Sequence, residues 1–199
     1  MKVILASKNP HKLVEISAIL GKLGMEVALE SEYGLDIEVE ETGTTFEENS
    51  FLKAEAVMKA SGMPAIADDS GICVDALDGA PGIYSARYGN KSSDEERLYY
   101  LLENMKDVPE DKRAAKFVCV ITCVWPDGRK IVARGEMHGY LTFAPRGEHG
   151  FGYDPIFFLP EYGMTSAEIA PEEKNAISHR AKALQEFCRL YHEEYDYDK

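Results

Sequence analysis

The chain has no paired-thiol motif. Its four cysteines, Cys73, Cys119, Cys123 and Cys188, are scattered without a CxxC spacing, and three of them lie in apolar runs, so they read as buried thiols. Positive charge is scarce. Lys and Arg total 22 against 35 Asp and Glu, a formal charge of -13, and so negative a surface repels a nucleic-acid polymer unless a local basic patch overrides it. Any nucleotide partner is therefore expected to be small and free, and an anionic one needs cations gathered locally. Long apolar runs are missing too. The opening VILA stretch, after a single lysine, is too brief for a signal-peptide core or a bilayer span, which leads us to expect a cytoplasmic protein with no membrane partner. With no repeat, low-complexity tract or Pro/Ser-rich linker, the 199 residues, 45% hydrophobic and 29% charged, are expected to form a single domain, residues 1–199.

What is present alternates between two periodicities. KVILA at 2–6 predicts a strand, and Leu13, Ile16, Ile19 and Leu20 a helix after it. MEVALE predicts a second strand. Thr45 and Glu48 stand at capping-box spacing before a helix carrying Phe51, Leu52, Ala54 and Met58, which Gly62 and Pro64 end. PAIA and ICVDAL predict two strands flanking a DSG turn. Ser93 and Glu96 repeat the capping spacing before a third helix, and Pro126-Asp127-Gly128 joins two long strands as a hairpin. A polar loop then leads to a last helix from about Ser178 to Tyr191. Helices and strands interleaved early, with an antiparallel ribbon later, predict an α/β fold with a mixed central sheet flanked by helices.

Five constellations stand out as carriers of chemistry. In ADDSG, Asp68 and Asp69 are adjacent at the end of an apolar run, and like charges so close are costly unless a cation or proton compensates; a bound divalent metal and a solvated strand corner are the two readings. In SKNPHK, Ser7, Asn9 and Lys12 at a helix start make a candidate phosphate cradle without the glycines of a Walker loop, the alternative being simple helix capping. Glu40 and Glu41 precede a glycine turn, with Asn49 and Lys53 four apart on the helix that follows; a carboxylate from here would join the Asp pair around Mg²⁺, or belong to an ordinary charge run. GFGYDP offers two glycines, the flat rings of Phe151 and Tyr153 for stacking on a base, and Asp154 to accept from a base N–H, or else a hinged strand entry with core aromatics. Finally, KNAISHR gathers Lys174, Ser178, His179 and Arg180, where basic residues at a helix start oppose the dipole and call for a negative or polar partner.

Taken in order, SKNPHK, TFEENSFLKA, ADDSG, GAPGIYSARY, GFGYDPIF and KNAISHR resemble the motif series of the inosine triphosphate pyrophosphatase family, over residues 7 to 182. The resemblance implies an elongated, two-lobed α/β fold with an active-site groove between lobes, and a homodimer. It implies Mg²⁺-dependent hydrolysis of ITP, dITP or XTP to the monophosphate and pyrophosphate. By the same resemblance Ser7, Lys8, Asn9, Pro10, His11 and Lys12, with Lys53, would bind the triphosphate. Glu40 and Asp69 would hold the metal, and Asp69 would also be the base for the attacking water. Ser70, Phe151, Gly152, Tyr153, Asp154, Lys174, His179 and Arg180 would bind nucleotide. Ser50 departs from the alanine frequent in that family. A nucleotide sensor, an aspartyl-phosphate phosphatase and the related dTTP/UTP pyrophosphatases are the competing readings, each separable by the phosphate species released or the base accepted.

Overall fold

A computed structural model describes residues 1–195, with the side chains of Pro10, His11 and Tyr195 outside that description. Seven strands form one sheet in the order β2-β1-β3-β4-β5-β6-β7: β1 (Lys2–Leu5), β2 (Glu26–Leu29), β3 (Ala65–Val74), β4 (Ala114–Val124), β5 (Lys130–Leu141), β6 (Phe157–Leu159) and β7 (Met164–Thr165). β1 runs parallel to β2 and β3, while β5/β6 and β6/β7 are antiparallel, so the sheet is mixed as its sequence pattern predicts. Among the described residues five α-helices accompany it: α1 (Pro10–Leu20), α2 (Phe46–Ser61), α3 (Asp94–Asn104), α4 (Pro171–Ile177) and α5 (His179–Tyr195).

Local chemistry accounts for most boundaries. Thr45 Oγ1 accepts from Glu48 N at the start of α2, and the Glu48 carboxylate reaches back to accept from Thr44 N and Oγ1. The box on α3 is complete, with Ser93 Oγ accepting from Glu96 N and the Glu96 carboxylate accepting from Ser93 N. Gly62 ends α2 at φ 68°, the left-handed cap that glycine adopts without a Cβ clash.

Two sequence expectations are corrected. The predicted DSG turn does not form, and β3 continues unbroken from Ala65 to Val74. Both aspartates are paired with lysines inside the fold, so the chain need not leave the sheet to solvate them, and Gly71 lies so close to the Gly82 carbonyl and Ser85 that a Cβ there would collide with both. Ser85 Oγ also accepts from Ile72 N, holding the strand past the glycine. The predicted polar loop and single last helix become two helices, because Ser178 is extended (φ -63°, ψ 157°) and divides α4 from α5. Lys174 thus lies on α4, whereas His179 and Arg180 open α5.

The chain divides into two compact units: residues 1–69 and 119–135 with the chain from Arg180 on, and residues 70–118 with 136–179. The first is built on Val3, Leu5, Ile16, Ile66, Ile121 and Phe187, the second on Ile72, Leu101, Met105, Phe117, Ile156 and Phe157. Cys119 and Cys123 belong to the first core, and burial pushes the Cys119 thiol up to about 12, so it stays protonated and inert. Cys73 and Cys188 are half-buried and reduced.

Candidate active site

Successive residues on a strand leave it on opposite faces, and β3 uses this to separate its two aspartates. Asp68 is 3% exposed and fully partnered. Its Oδ1 accepts from Lys12 Nζ at 2.8 Å, and its Oδ2 from Arg180 Nε and Nη2 at 3.3 and 3.2 Å. Burial opposes ionisation of Asp68, yet Lys12 and Arg180 outweigh it and hold the carboxyl well below the usual carboxylate range. Arg180 Nη1 donates at 3.0 Å to Glu15 on α1, so this guanidinium is shared between two carboxylates. The compensation that the sequence demands at the start of α5 is therefore Asp68 and Glu15.

Asp69 has a different environment. It is 7% exposed; Oδ1 accepts from Lys53 Nζ at 2.9 Å, while Oδ2 is buried with no hydrogen-bond partner. Lys53 also donates to Glu41 Oε1 at 2.9 Å. Burial raises the pKa of Asp69; Lys53 opposes the rise, and Glu41 and Asp68 add to it. The ammonium of Lys53, disfavoured by burial, is kept charged by Asp69 and Glu41. One cation thus serves two carboxylates and leaves an acceptor unused. A lone pair buried without a donor is uncommon in native interiors and leaves Asp69 an acceptor that a water or an ion can use.

Among the predicted loop residues, Ser7 Oγ accepts from Asn9 N at 3.1 Å, Lys8 forms an ion pair with Asp36, and Lys12 is committed to Asp68. The side chains of Pro10 and His11 lie outside the described residues. Glu40 is exposed, and it is Glu41 that the structure brings to Lys53 and, through it, to Asp69. Ser70 is half-buried on β3. Glu15 and Asp36 were missed from sequence because both read as ordinary helix and loop charges, and their partners Arg180 and Lys8 are far from them in spacing or motif.

The second unit carries the GFGYDP residues. Phe151 is 66% exposed and Lys174 Nζ lies 5.3 Å from its ring centroid, a cation over an aromatic face. Asp154, 3% exposed, accepts from Lys174 Nζ at 2.5 Å and from Phe151 N at 2.9 Å, so one carboxylate fixes both the lysine and the loop. Gly150 (φ 77°) lies against that carboxylate where a side chain would clash. Gly152 N donates to Asp94 Oδ2 at the start of α3. Tyr153 is only 6% exposed and its hydroxyl donates to Ser85 O at 2.7 Å, which makes it a core anchor, with Phe151 the ring left open for stacking. The half-buried His179 stacks on Phe117 at 5.0 Å and 15°.

The first unit thus offers a buried carboxylate with a spare acceptor among lysines, and the second an exposed ring with a held lysine: equipment suited to phosphate chemistry and to a flat heterocycle. Comparison with known proteins agrees. Residues 3–190 match the Ham1 family, and the chain belongs to it. It is 49% identical over 187 residues to the dITP/XTP pyrophosphatase of Escherichia coli (strain K12), covering 92% of this chain and 94% of that protein. The dITP/XTP pyrophosphatase of Thermus thermophilus is 48% identical over 191 residues, covering 96% and 92%. The solved structure of the Staphylococcus aureus Ham1 protein superposes with a TM-score of 0.90 at 42% identity, covering 98% of this chain and all of that one. The Coxiella burnetii HAM1 protein gives the same TM-score at 40% identity. The family resemblance and the mixed α/β sheet expected from sequence are both borne out.

Proposed function

We propose that this chain hydrolyses non-standard purine nucleoside triphosphates, ITP, dITP and XTP, to the monophosphate and pyrophosphate, removing them from the nucleotide pool. The reading is supported by family membership and by relatives at about half identity that bear the name dITP/XTP pyrophosphatase. The observation that carries it is the spare, buried Oδ2 of Asp69 beside Lys53. In the proposed step a water oxygen bonds to phosphorus, the phosphoanhydride P–O bond breaks, and the water's proton passes to Asp69. Pyrophosphate leaves with the bonding pair. Asp69 must be ionised for this; its burial opposes that state and the ammonium of Lys53 favours it.

Mg²⁺ fits these residues. Among the described residues no group of three or more His, Cys, Asp or Glu side chains gathers as a closed metal cage. That suits an ion held by one or two carboxylates plus waters and substrate phosphates, with Asp69 Oδ2 and a carboxylate of the Glu40–Glu41 pair as its protein ligands. When bound, such an ion would offset charge developing on the phosphates. Lys53 and the Ser7–Lys12 segment would take the triphosphate, while Phe151 would stack on the base.

Hypoxanthine and xanthine carry a carbonyl acceptor at C6 where adenine carries an amine, so a donor such as His179 or Lys174 would pair with the first two and be left unpaired by adenine. A cytoplasmic location and a homodimer remain part of this proposal; no helix of the described residues is long and apolar enough to cross a membrane, and Tyr140 and Phe143 of the second unit are exposed rings available to a second copy. The test is a panel of nucleoside triphosphates assayed with Mg²⁺. Rapid pyrophosphate release from ITP, dITP and XTP with slow turnover of ATP and GTP is expected; orthophosphate release, or GTP turned over as fast as dITP, would contradict the proposal.

A further inference from the structure

Asn49 is 0% exposed on α2, and its two polar atoms fare differently. Oδ1 accepts from Gly43 N at 2.9 Å, while Nδ2 is buried without a partner. Four residues on, one turn along the same helix face, Lys53 donates to Glu41. Asn49 and Lys53 therefore grip the same short segment at its two ends, Gly43 and Glu41. A Cβ on Gly43 would stand 2.6 Å from Asn49 Oδ1, so the close approach depends on glycine.

The acceptor alone explains an aspartate as well as an asparagine at this position, since a carboxylate oxygen would take the Gly43 N–H equally well. The amide donor is what the anchoring role leaves unused. Asp69, which accepts from the same Lys53, also has a buried oxygen with no hydrogen-bond partner. The orphaned amide calls for an acceptor, and an oxygen arriving with the substrate, on a phosphate or as a water, supplies one.

We infer that Asn49 is a catalytic-site residue: Oδ1 fixes the turn that presents Glu41 to Lys53, and Nδ2 donates to an oxygen brought in with the bound triphosphate. This rests on the hydrolysis proposed above. The parent protein with dITP and Mg²⁺ is therefore measured first, because absence of pyrophosphate release there would remove the hydrolysis itself, whatever Asn49 does.

The test compares Asn49→Asp, which keeps the acceptor and shape but has no donor, with Asn49→Ala, which loses both, reading steady-state kinetics on dITP, the melting temperature, and the melting shift caused by a non-hydrolysable dITP analogue. For Asn49→Asp we expect kcat/KM per folded molecule to fall at least about tenfold, the loss that follows when a buried polar contact to a charged group is removed, with melting recorded alongside because a buried carboxylate also lowers stability. A rise in KM with a smaller analogue-induced shift identifies a phosphate oxygen as the acceptor; a fall in kcat with KM and the shift unchanged identifies the attacking water. Parental kcat and KM in Asn49→Asp would overturn the inference and leave Asn49 as an anchor of the turn alone. Should the buried aspartate prevent folding, Asn49→Ser decides: a rate per folded molecule at least about tenfold down sustains the assignment, and a parental rate per folded molecule overturns it.

Discussion

Asp68 and Asp69 are chemically identical neighbours on β3, yet the two faces of the strand give them opposite states. On the Asp68 face every lone pair in reach is matched: Lys12 on one oxygen, Arg180 on the other, Glu15 on the far side of the guanidinium. On the Asp69 face one lysine is divided between Asp69 and Glu41, and an oxygen is left over. A closed charge cluster holds a structure together; an open one is prepared to receive something. The cost of placing two carboxylates side by side is met in two ways, by internal cations for Asp68 and, in the proposed reaction, by the incoming metal and substrate for Asp69.

The sharpest way to break this contrast is substitution of each aspartate by asparagine. Asp69→Asn should lower dITP turnover by about 10²–10⁴-fold, the usual contribution of a general base, while leaving stability unchanged or slightly raised, since a buried carboxyl of raised pKa is replaced by a neutral amide. Parental turnover would reassign the base. Asp68→Asn should act first on stability, by about 3 kcal/mol in urea unfolding, because it strips the main counter-charge from the buried Arg180. Its pH dependence carries a definite sign. The folded pKa of Asp68 is depressed, so its stabilisation is complete above the ordinary aspartate value of about 3.9 and fades as pH falls through the folded value. The parent's stability should therefore decline more steeply with acid below about pH 4 than that of Asp68→Asn; parallel curves would show that Asp68 is not held ionised by its partners. A smaller effect belongs to the second unit. Phe151→Ala removes an exposed ring and should raise KM for dITP about tenfold with little change in melting, consistent with roughly 1–3 kcal/mol for stacking.

How much of this was legible in the sequence depends on distance along the chain. The Ser93–Glu96 box, the Thr45 cap, the hairpin at Pro126–Gly128 and the helical apolar spacings are local, and each appears where its residues predict. The Phe151–Asp154 loop is also local, its carboxylate folding back onto Phe151 N three residues away. What could not be read is long-range. Arg180 meets Asp68 across 112 residues and Glu15 across 165, and no spacing rule encodes either pairing. The same applies to β3. Turn formers at Asp69, Ser70 and Gly71 predict a bend, whereas the approach of Gly82 and Ser85 to Gly71 keeps the strand straight. Nor does the sequence distinguish Glu40 from Glu41; the turn held by Asn49 turns Glu41 toward Lys53.

Asp69 presents an open, ligand-ready carboxylate and Asp68 a closed one held ionised well below the usual carboxylate range. Site-resolved carboxylate NMR of the metal-free protein, titrated with acid and then with Mg²⁺, tests it most directly. Asp69 should take up its proton above the ordinary aspartate value and shift on Mg²⁺ addition, while Asp68 stays ionised to lower pH and is little moved by the metal. A reversed order of protonation, or Mg²⁺ perturbing Asp68 and leaving Asp69 untouched, would contradict it.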